Sequence, residues 1–370
     1  MDPIYLTQKL IEFPSITPDS AGSLDYLQEL LSSWGFTCYR LPFEEVDNLY
    51  ARLGKDFPNF CFAGHVDVVP VVDLHKWTRP PFSGQIENQI LYGRGVVDMK
   101  GALAAFLSAL ADYLPSHTKG SISLLLTSDE EGKAFHGTKR VIQWLEEQNE
   151  HISACLVGEP TNPTIVGEMV KVGRRGSLNA SIVIHGQAGH VAYPEQAINP
   201  IPFLLNFLTS LIESSLDQGA DFFDPSHLEI TTIDVGNPTS NVIPDVASAK
   251  FNIRFNPHHS GNSLTEWLQT KAQAIPIPYD LSIHVSGEPF FRPDDHLKKT
   301  LSEAIYKVTN RLPEFSTTGG TSDARFIHKI CPVIEFGLIN KTAHHIDEHV
   351  SISEIYTLKN IYLEVLKNYF

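Results

Sequence analysis

The sequence predicts an α/β protein: a catalytic domain built on a mostly parallel mixed sheet flanked by helices, interrupted by an inserted α+β domain of ferredoxin-like βαββαβ order. Three observations lead there. Over the first 175 residues, short apolar runs alternate with amphipathic segments of helical length, as in a sheet covered on both faces. From about residue 176 the succession changes to strand, helix, two strands, helix, strand, the split βαβ pattern. After Pro289 the first pattern returns, which assigns 1–175 and 289–370 to the outer domain and 176–288 to the insertion. A chain of 370 residues exceeds one ordinary core and suits this division.

Taken in order, residues 3–13 and 23–34 carry the spacing of amphipathic helices. Asn59-Phe60-Cys61-Phe62-Ala63 is a strand ending at Gly64-His65. Leu103, Phe106, Leu107, Leu110 and Leu114 recur at helical spacing over Gly101–Leu114, with Asp98 just upstream. Ser121–Thr127 reads as a strand running into Ser128-Asp129-Glu130-Glu131-Gly132. A helix over 136–149 follows, then a strand Ala154–Val157 ending at Gly158-Glu159-Pro160. The insertion reads as strand 177–185, helix 199–215, strands 228–235 and 247–255, helix 262–273 and strand 280–286. The last part gives helix 295–309, a Gly-rich loop 318–323, strand 332–336, a polar loop 340–350 and helix 352–368.

Composition narrows the function classes. With 42% apolar and 19% charged residues the chain buries a real core and is not disordered. A formal charge of -15 disfavours nucleic acid, which selects a basic face. No apolar run reaches about 18 residues, and Met1-Asp2-Pro3-Ile4-Tyr5 opens no leader segment, so the expectation is a cytoplasmic protein with no membrane partner. Cys38, Cys61, Cys155 and Cys331 lie far apart without a CxxC pair and read as buried reduced thiols, not zinc ligands.

The polar residues at the strand ends point to chemistry. His65, Glu130 with Glu131, and Glu159 each follow an apolar strand, and Asp98 precedes a helix after Tyr92-Gly93-Arg94-Gly95. Ligands of open α/β sheets bind outside the carboxyl ends of the strands, so one imidazole and four carboxylates are directed at one edge. Imidazole plus carboxylate without thiolate suits zinc or a similar divalent ion in a catalytic site. Crowded carboxylates without a cation repel and take up protons. A dinuclear site with one shared carboxylate, the metals about 3.5–4 Å apart, removes that conflict. Asp67, two residues after His65, shares its face in extended backbone and is suited to hold the imidazole. Glu130 and Glu131 point opposite ways in extended backbone. One can ligate while the other faces the substrate, and a free carboxylate there is a suitable general base.

Gly64-His65-Val66-Asp67-Val68-Val69-Pro70, Gly93-Arg94-Gly95-Val96-Val97-Asp98-Met99-Lys100-Gly101, Ser128-Asp129-Glu130-Glu131-Gly132 and Val157-Gly158-Glu159-Pro160 resemble the successive signatures of the M20 family of dinuclear-zinc amidohydrolases and metallopeptidases. The likeness continues through Gly173-Arg174-Arg175-Gly176-Ser177, Gly189-His190-Val191-Ala192-Tyr193-Pro194, Ser240-Asn241-Val242-Ile243-Pro244, Gly319-Gly320-Thr321-Ser322-Asp323 and Asn340-Lys341-Thr342-Ala343-His344 with Glu348. It spans the chain, inserted domain included. The resemblance implies a metal-dependent hydrolase of linear amides in a small-molecule substrate, with two zinc ions per subunit for which cobalt or manganese can substitute. Asp98 would bridge the ions, His65 and Glu159 would complete one site, and Glu131 and His344 the other. Glu130 would be general base and acid, and Asp67 the partner of His65. His190 would stabilise the oxyanion, reaching into the other subunit of a homodimer formed through the inserted domain. Arg174, Tyr193, Asn241, Arg254, Gly320, Thr321, Ser322 and Asn340 would contact substrate carboxylates and backbone. The residues themselves leave His344 and His345 open. The family pattern places the ligand four residues before a Glu, which is His344 before Glu348. Rival readings are another deacylase or peptidase of the family and a non-catalytic binding homologue. Val71-Val72, Ala324 and His136 depart from the pattern, and none is an implied ligand.

Overall fold

The computed structural model describes residues 1–117 and 119–370. The chain forms two compact units, one of Met1–Gly173, Phe291–Ser316 and Ser322–Phe370, the other of Arg174–Phe290 with Thr317–Thr321. The Gly-rich loop is thus divided between them, since Thr317–Thr321 clusters with the second unit and Ser322 with the first.

The first unit is built on an eight-stranded sheet. Its order is Thr37–Arg40, Asn48–Leu53, Ser121–Thr127, Asn59–His65, Ala154–Val157, Val333–Glu335, Met169–Lys171, Glu314–Ser316. The four central strands, Ser121–Thr127, Asn59–His65, Ala154–Val157 and Val333–Glu335, are mutually parallel. The first three are buried along their whole length, which is why they read as unbroken apolar runs. Helix Gly101–Tyr113 is apolar nearly all round and packs with the terminal helix Ile352–Tyr369 on this sheet, where Phe62 stacks on Phe106 at 4.1 Å between centroids. Asp2 starts the first helix, Pro3–Ile11, by accepting the N–H of Ile4 at 2.7 Å and of Tyr5 at 3.0 Å. Strands Thr37–Arg40, Asn48–Leu53, Met169–Lys171 and Glu314–Ser316 are additional to the sequence expectation. The first is an edge strand of mixed exposure, and the last two have three residues each, too short for a period to register.

The second unit is a four-stranded antiparallel sheet ordered His227–Asp234, Val246–Phe255, Gly176–His185, Tyr279–Gly287. Counted along the insertion this is second, third, first, fourth, the ferredoxin-like arrangement. Helices Pro200–Ile212 and Gly261–Ala272 bury Leu204, Leu208, Leu264 and Leu268 against Leu178, Ile182, Phe251 and Ile253 of the sheet. A two-stranded ribbon, Gly189–His190 with Val242–Ile243, extends beyond the βαββαβ elements.

Among the described residues no helix is long and apolar enough to cross a membrane. All four cysteines are free. Cys61, Cys155 and Cys331 are buried, whereas Cys38 is only half-buried, because it lies on the edge strand.

Candidate metal centre

The parallel strands deliver their polar termini to one place. His65 is the last residue of its strand, Glu130 and Glu131 follow Thr127 by a short bend, and Glu159 follows Val157. Asp98 reaches the same point from the turn Val96–Lys100 at the foot of helix Gly101–Tyr113. The next residue, Met99, presses its methyl against Gly64 and Gly158. A Cβ at those glycines would lie 2.3 and 2.5 Å from it, so both must stay bare for Asp98 to reach the strand ends.

Asp98 stands at the centre. Its Oδ1 is 3.1 Å from His65 Nε2, and its Oδ2 is 3.3 Å from His344 Nε2. On the first side Glu159 Oε1 lies 3.6 Å from His65 Nε2. On the second, Glu131 Oε1 lies 2.7 Å from His344 Nε2. Ligand atoms of His65, Glu130 and Glu159, and of His65, Asp98 and Glu131, fall within 4.8 Å of one another in each set. His344, not His345, enters the cluster. It does so with φ 64°, in the left-handed region.

The neighbours of these groups fix their chemistry. His65 Nδ1 is 2.9 Å from the carbonyl oxygen of Asp67, so that nitrogen carries the hydrogen and Nε2 is turned to the cluster. Asp67 holds the ring chiefly by its main chain, its carboxylate being 3.6 Å away. That carboxylate instead accepts the N–H of Glu130 at 3.3 Å and of Glu131 at 3.0 Å. It therefore orients the glutamates on the neighbouring strand end. Asp129 folds the loop behind them, accepting the N–H of Ala134 and His136, each at 3.1 Å.

The electrostatics fit a cation pair. Burial, reinforced by the charges of Asp98 and Glu130, drives the Glu159 carboxyl well above its ordinary range. Burial does the same to Glu130, with Asp323, Glu131 and Asp98 adding to it. Burial also raises Asp67 to about 6, against the pull of His65. Hydrogen bonds to Asp98 and Glu131 raise His344 to about 10. Burial opposes charge on His65, but its bond to Asp98 and the Asp67 charge outweigh that and raise it too. Two imidazoles and four carboxylates so close retain their ionised carboxylates only if protons or metal ions occupy the space between them. Glu159 Oε1 is also buried without a hydrogen-bond partner, as suits a carboxylate oxygen that ligates a metal ion. The residues present therefore fit a pair of divalent ions.

The other residues singled out from the sequence are divided between the two units. In the first unit, Ser322 is fully buried and gives its hydroxyl to buried Glu335 at 2.5 Å, while Asn340 is exposed on a single turn. In the second unit, His190, Tyr193 and Asn241 share the two-stranded ribbon and its turn, all exposed. His190 Nδ1 accepts the N–H of Ala192 at 3.0 Å, so the neutral ring bears its hydrogen on Nε2. Arg174 is buried near the loop that holds Gly320 and Thr321, its Nη1 3.4 Å from the carbonyl of Thr318. Arg254 is half-buried on the Val246–Phe255 strand opposite Ser177 and His227.

A parallel sheet whose strand ends gather imidazoles and carboxylates around one shared aspartate, with a separate α+β unit inserted, defines a class of metallohydrolase. The chain belongs to peptidase family M20/M25/M40, whose profile matches residues 61–368. Over 374 residues it is 50% identical to the succinyl-diaminopimelate desuccinylase of Maricaulis maris (strain MCS10), covering 100% of this chain and 96% of that one. The fold is shared with an M20 family metallo-carboxypeptidase from Sulfolobus solfataricus, at TM-score 0.85 and 19% identity over 100% and 99% of the two chains. It is shared too with a dinuclear metal binding peptidase of the M20 family from Bacillus subtilis, at TM-score 0.73 and 15% identity over 98% and 96%.

Proposed function

We propose that this chain hydrolyses N-succinyl-L,L-2,6-diaminoheptanedioate to succinate and L,L-diaminopimelate, a step towards lysine and cell-wall precursors, in the cytoplasm. The observation that carries this reading is the half-identity, end to end, with a relative named for that reaction. His65, Asp98, Glu131, Glu159 and His344 would hold two zinc ions, with cobalt or manganese suited to the same ligands. Bound there, the ions supply positive charge that acidifies a water and polarises the amide carbonyl. Glu130 takes the proton of the attacking water and returns it to the leaving amine. Asp67 keeps Glu130 and Glu131 in place through their N–H groups. His190 donates from Nε2 to the developing oxyanion, a contact worth about 3–4 kcal/mol. Arg174 and Arg254 clamp substrate carboxylates. Tyr193, Asn241, Gly320, Thr321, Ser322 and Asn340 complete the contacts.

The test is a comparison of kcat/KM for succinyl-diaminopimelate and N-acetylornithine with the zinc- or cobalt-loaded protein. Turnover of the first with little of the second is expected. The reverse order would transfer the chain to acetylornithine deacetylation, and turnover of neither would favour a binding homologue.

A homodimer through the second unit is part of the same proposal. It is supported by the exposed apolar side chains of Leu205 and Ile212 on helix Pro200–Ile212 and Ile233 on the edge strand His227–Asp234. Light scattering should give twice the 41.2 kDa chain mass, falling towards one chain mass in Ile212→Glu. A monomeric, fully active wild type would remove it.

A further inference from the structure

Behind the metal cluster lies a buried ion pair that the chemistry just described does not use. Arg94 and Glu348 are 1% and 0% exposed, and Arg94 Nη1 meets Glu348 Oε2 at 2.8 Å. The same Oε2 accepts the N–H of Gly95 at 3.0 Å, and Oε1 accepts those of Val97 at 2.9 Å and Asp98 at 3.3 Å. Each of these partners is a donor, and together they offset part of the burial that raises the carboxyl's affinity for a proton. Arg94 Nη1 also donates to the carbonyl oxygen of His345 at 3.2 Å, one residue beyond His344. The Glu348 carbonyl in turn accepts the N–H of Gly93 at 2.9 Å.

The two stretches tied in this way carry Asp98 and His344. They are far apart in sequence. The antiparallel pairing of His349–Ser351 with Ile90–Tyr92 joins their bases, and the Arg94–Glu348 pair, just beyond the Tyr92–His349 end of that pairing, carries the tie on towards the cluster. The His344 loop also needs restraint, because His344 and Asp347 both adopt left-handed backbone, φ 64° and 54°. Further ties hold it at its base. Thr342 Oγ1 donates to the His349 carbonyl at 2.6 Å, and Asp347 accepts from Thr78 N–H at 2.9 Å and Oγ1 at 2.8 Å. A buried ion pair is a poor way to gain stability compared with apolar packing, but it demands a defined geometry.

We infer that the Arg94–Glu348 pair is a positioning device that sets the reach between Asp98 and His344, and so governs the affinity of the metal lobe made by Asp98, Glu131 and His344. The other lobe depends on His65 and Glu159, which stand on the ends of strands that the pair does not touch. Losing the tie moves Asp98 and His344 relative to each other. Two of three ligands are then misplaced in one lobe, and one of three in the other. The inference rests on the metal-centre reading.

The test titrates metal-free wild type, Glu348→Gln and Arg94→Lys with Zn²⁺ against a competing chelator, and follows Co²⁺ by its visible absorption. Wild type should bind two ions. Glu348→Gln should keep one ion within about threefold of its wild-type affinity and bind the second about 10–100-fold more weakly, the usual effect of removing a group that orients a ligand. Arg94→Lys keeps the charge and the carboxylate, so it should fall between the two. It also carries the test if Glu348→Gln fails to fold. Folded variants that bind both ions as wild type does, or lose both equally, would overturn the positioning role alone. A wild type that binds no pair of ions would overturn the metal centre itself, and this inference with it.

Discussion

Glu130→Gln is expected to lower kcat by about 10²–10⁴-fold while the protein retains two metal ions per chain and KM shifts only a few-fold. The substitution keeps shape and the backbone N–H that Asp67 accepts, and removes only the capacity to take a proton. The position suits that task. Glu130 is half-buried, and burial with the charges of Asp323, Glu131 and Asp98 raises its affinity for a proton. A base in such surroundings releases the proton to a leaving amine only when the local charge is partly neutralised, which bound cations achieve. The distinguishing measurement is metal content beside kcat. A Glu130→Gln protein that has lost an ion would make this residue a ligand, since its carboxylate lies within reach of the His65 and Glu159 ligand atoms. One with near-normal kcat would move the proton transfer elsewhere.

Much of this centre was legible in the sequence because its chemistry follows the sheet. Cys61, Phe62 and Ala63, Leu124, Leu125 and Leu126, and Cys155, Leu156 and Val157 are covered on both faces, so they write as apolar runs whose polar ends mark the sheet edge. His65, Glu130, Glu131 and Glu159 could therefore be placed together before any coordinates. The Thr37–Arg40 strand was not legible, because at an edge its exposure alternates weakly and Cys38 is only half-covered. Helix 136–149 begins at Thr138, because Asp129 draws Ala134 and His136 into the loop before it. Nor was the way Asp67 acts. Two residues from His65, it looks like a side-chain partner of the ring, yet its carbonyl makes that contact and its carboxylate serves the neighbouring strand end. Arg94 with Glu348 was the hardest to foresee. Both stand in recognisable motifs, but a salt bridge between residues so distant in the chain leaves no periodic trace, and only their complete burial reveals it. The choice of His344 over His345 rested on the family pattern and not on the physics of the loop, since a left-handed residue in a polar loop has no preferred direction until its neighbours are in place.

Removing the metals should abolish amide hydrolysis and also change how stability depends on pH. Without cations the cluster must hold protons. His65 and His344 are raised above the ordinary histidine value, His344 to about 10, so their contribution to stability is complete below about pH 6.5 and is lost as pH rises through the folded values. Glu130 and Glu159 are raised well above 4.5, and Asp67 is raised to about 6. Each favours its protonated form in the fold, so rising pH acts in the same direction. Asp98 is lowered, because its hydrogen bonds with His344 and His65 outweigh burial, and it contributes steadily across the neutral range. The metal-free protein should therefore melt at progressively lower temperature from about pH 6 to pH 10. Binding an ion at 1,000 times its Kd adds about 4 kcal/mol. Because ligation displaces protons, the gain in melting temperature on adding zinc should widen as pH rises. Thermal scans with and without chelator, at three pH values, read this directly. A metal-free protein whose melting temperature is flat or rises over that interval would mean that the imidazoles and carboxylates of the cluster do not share protons, and that no cation is required between them.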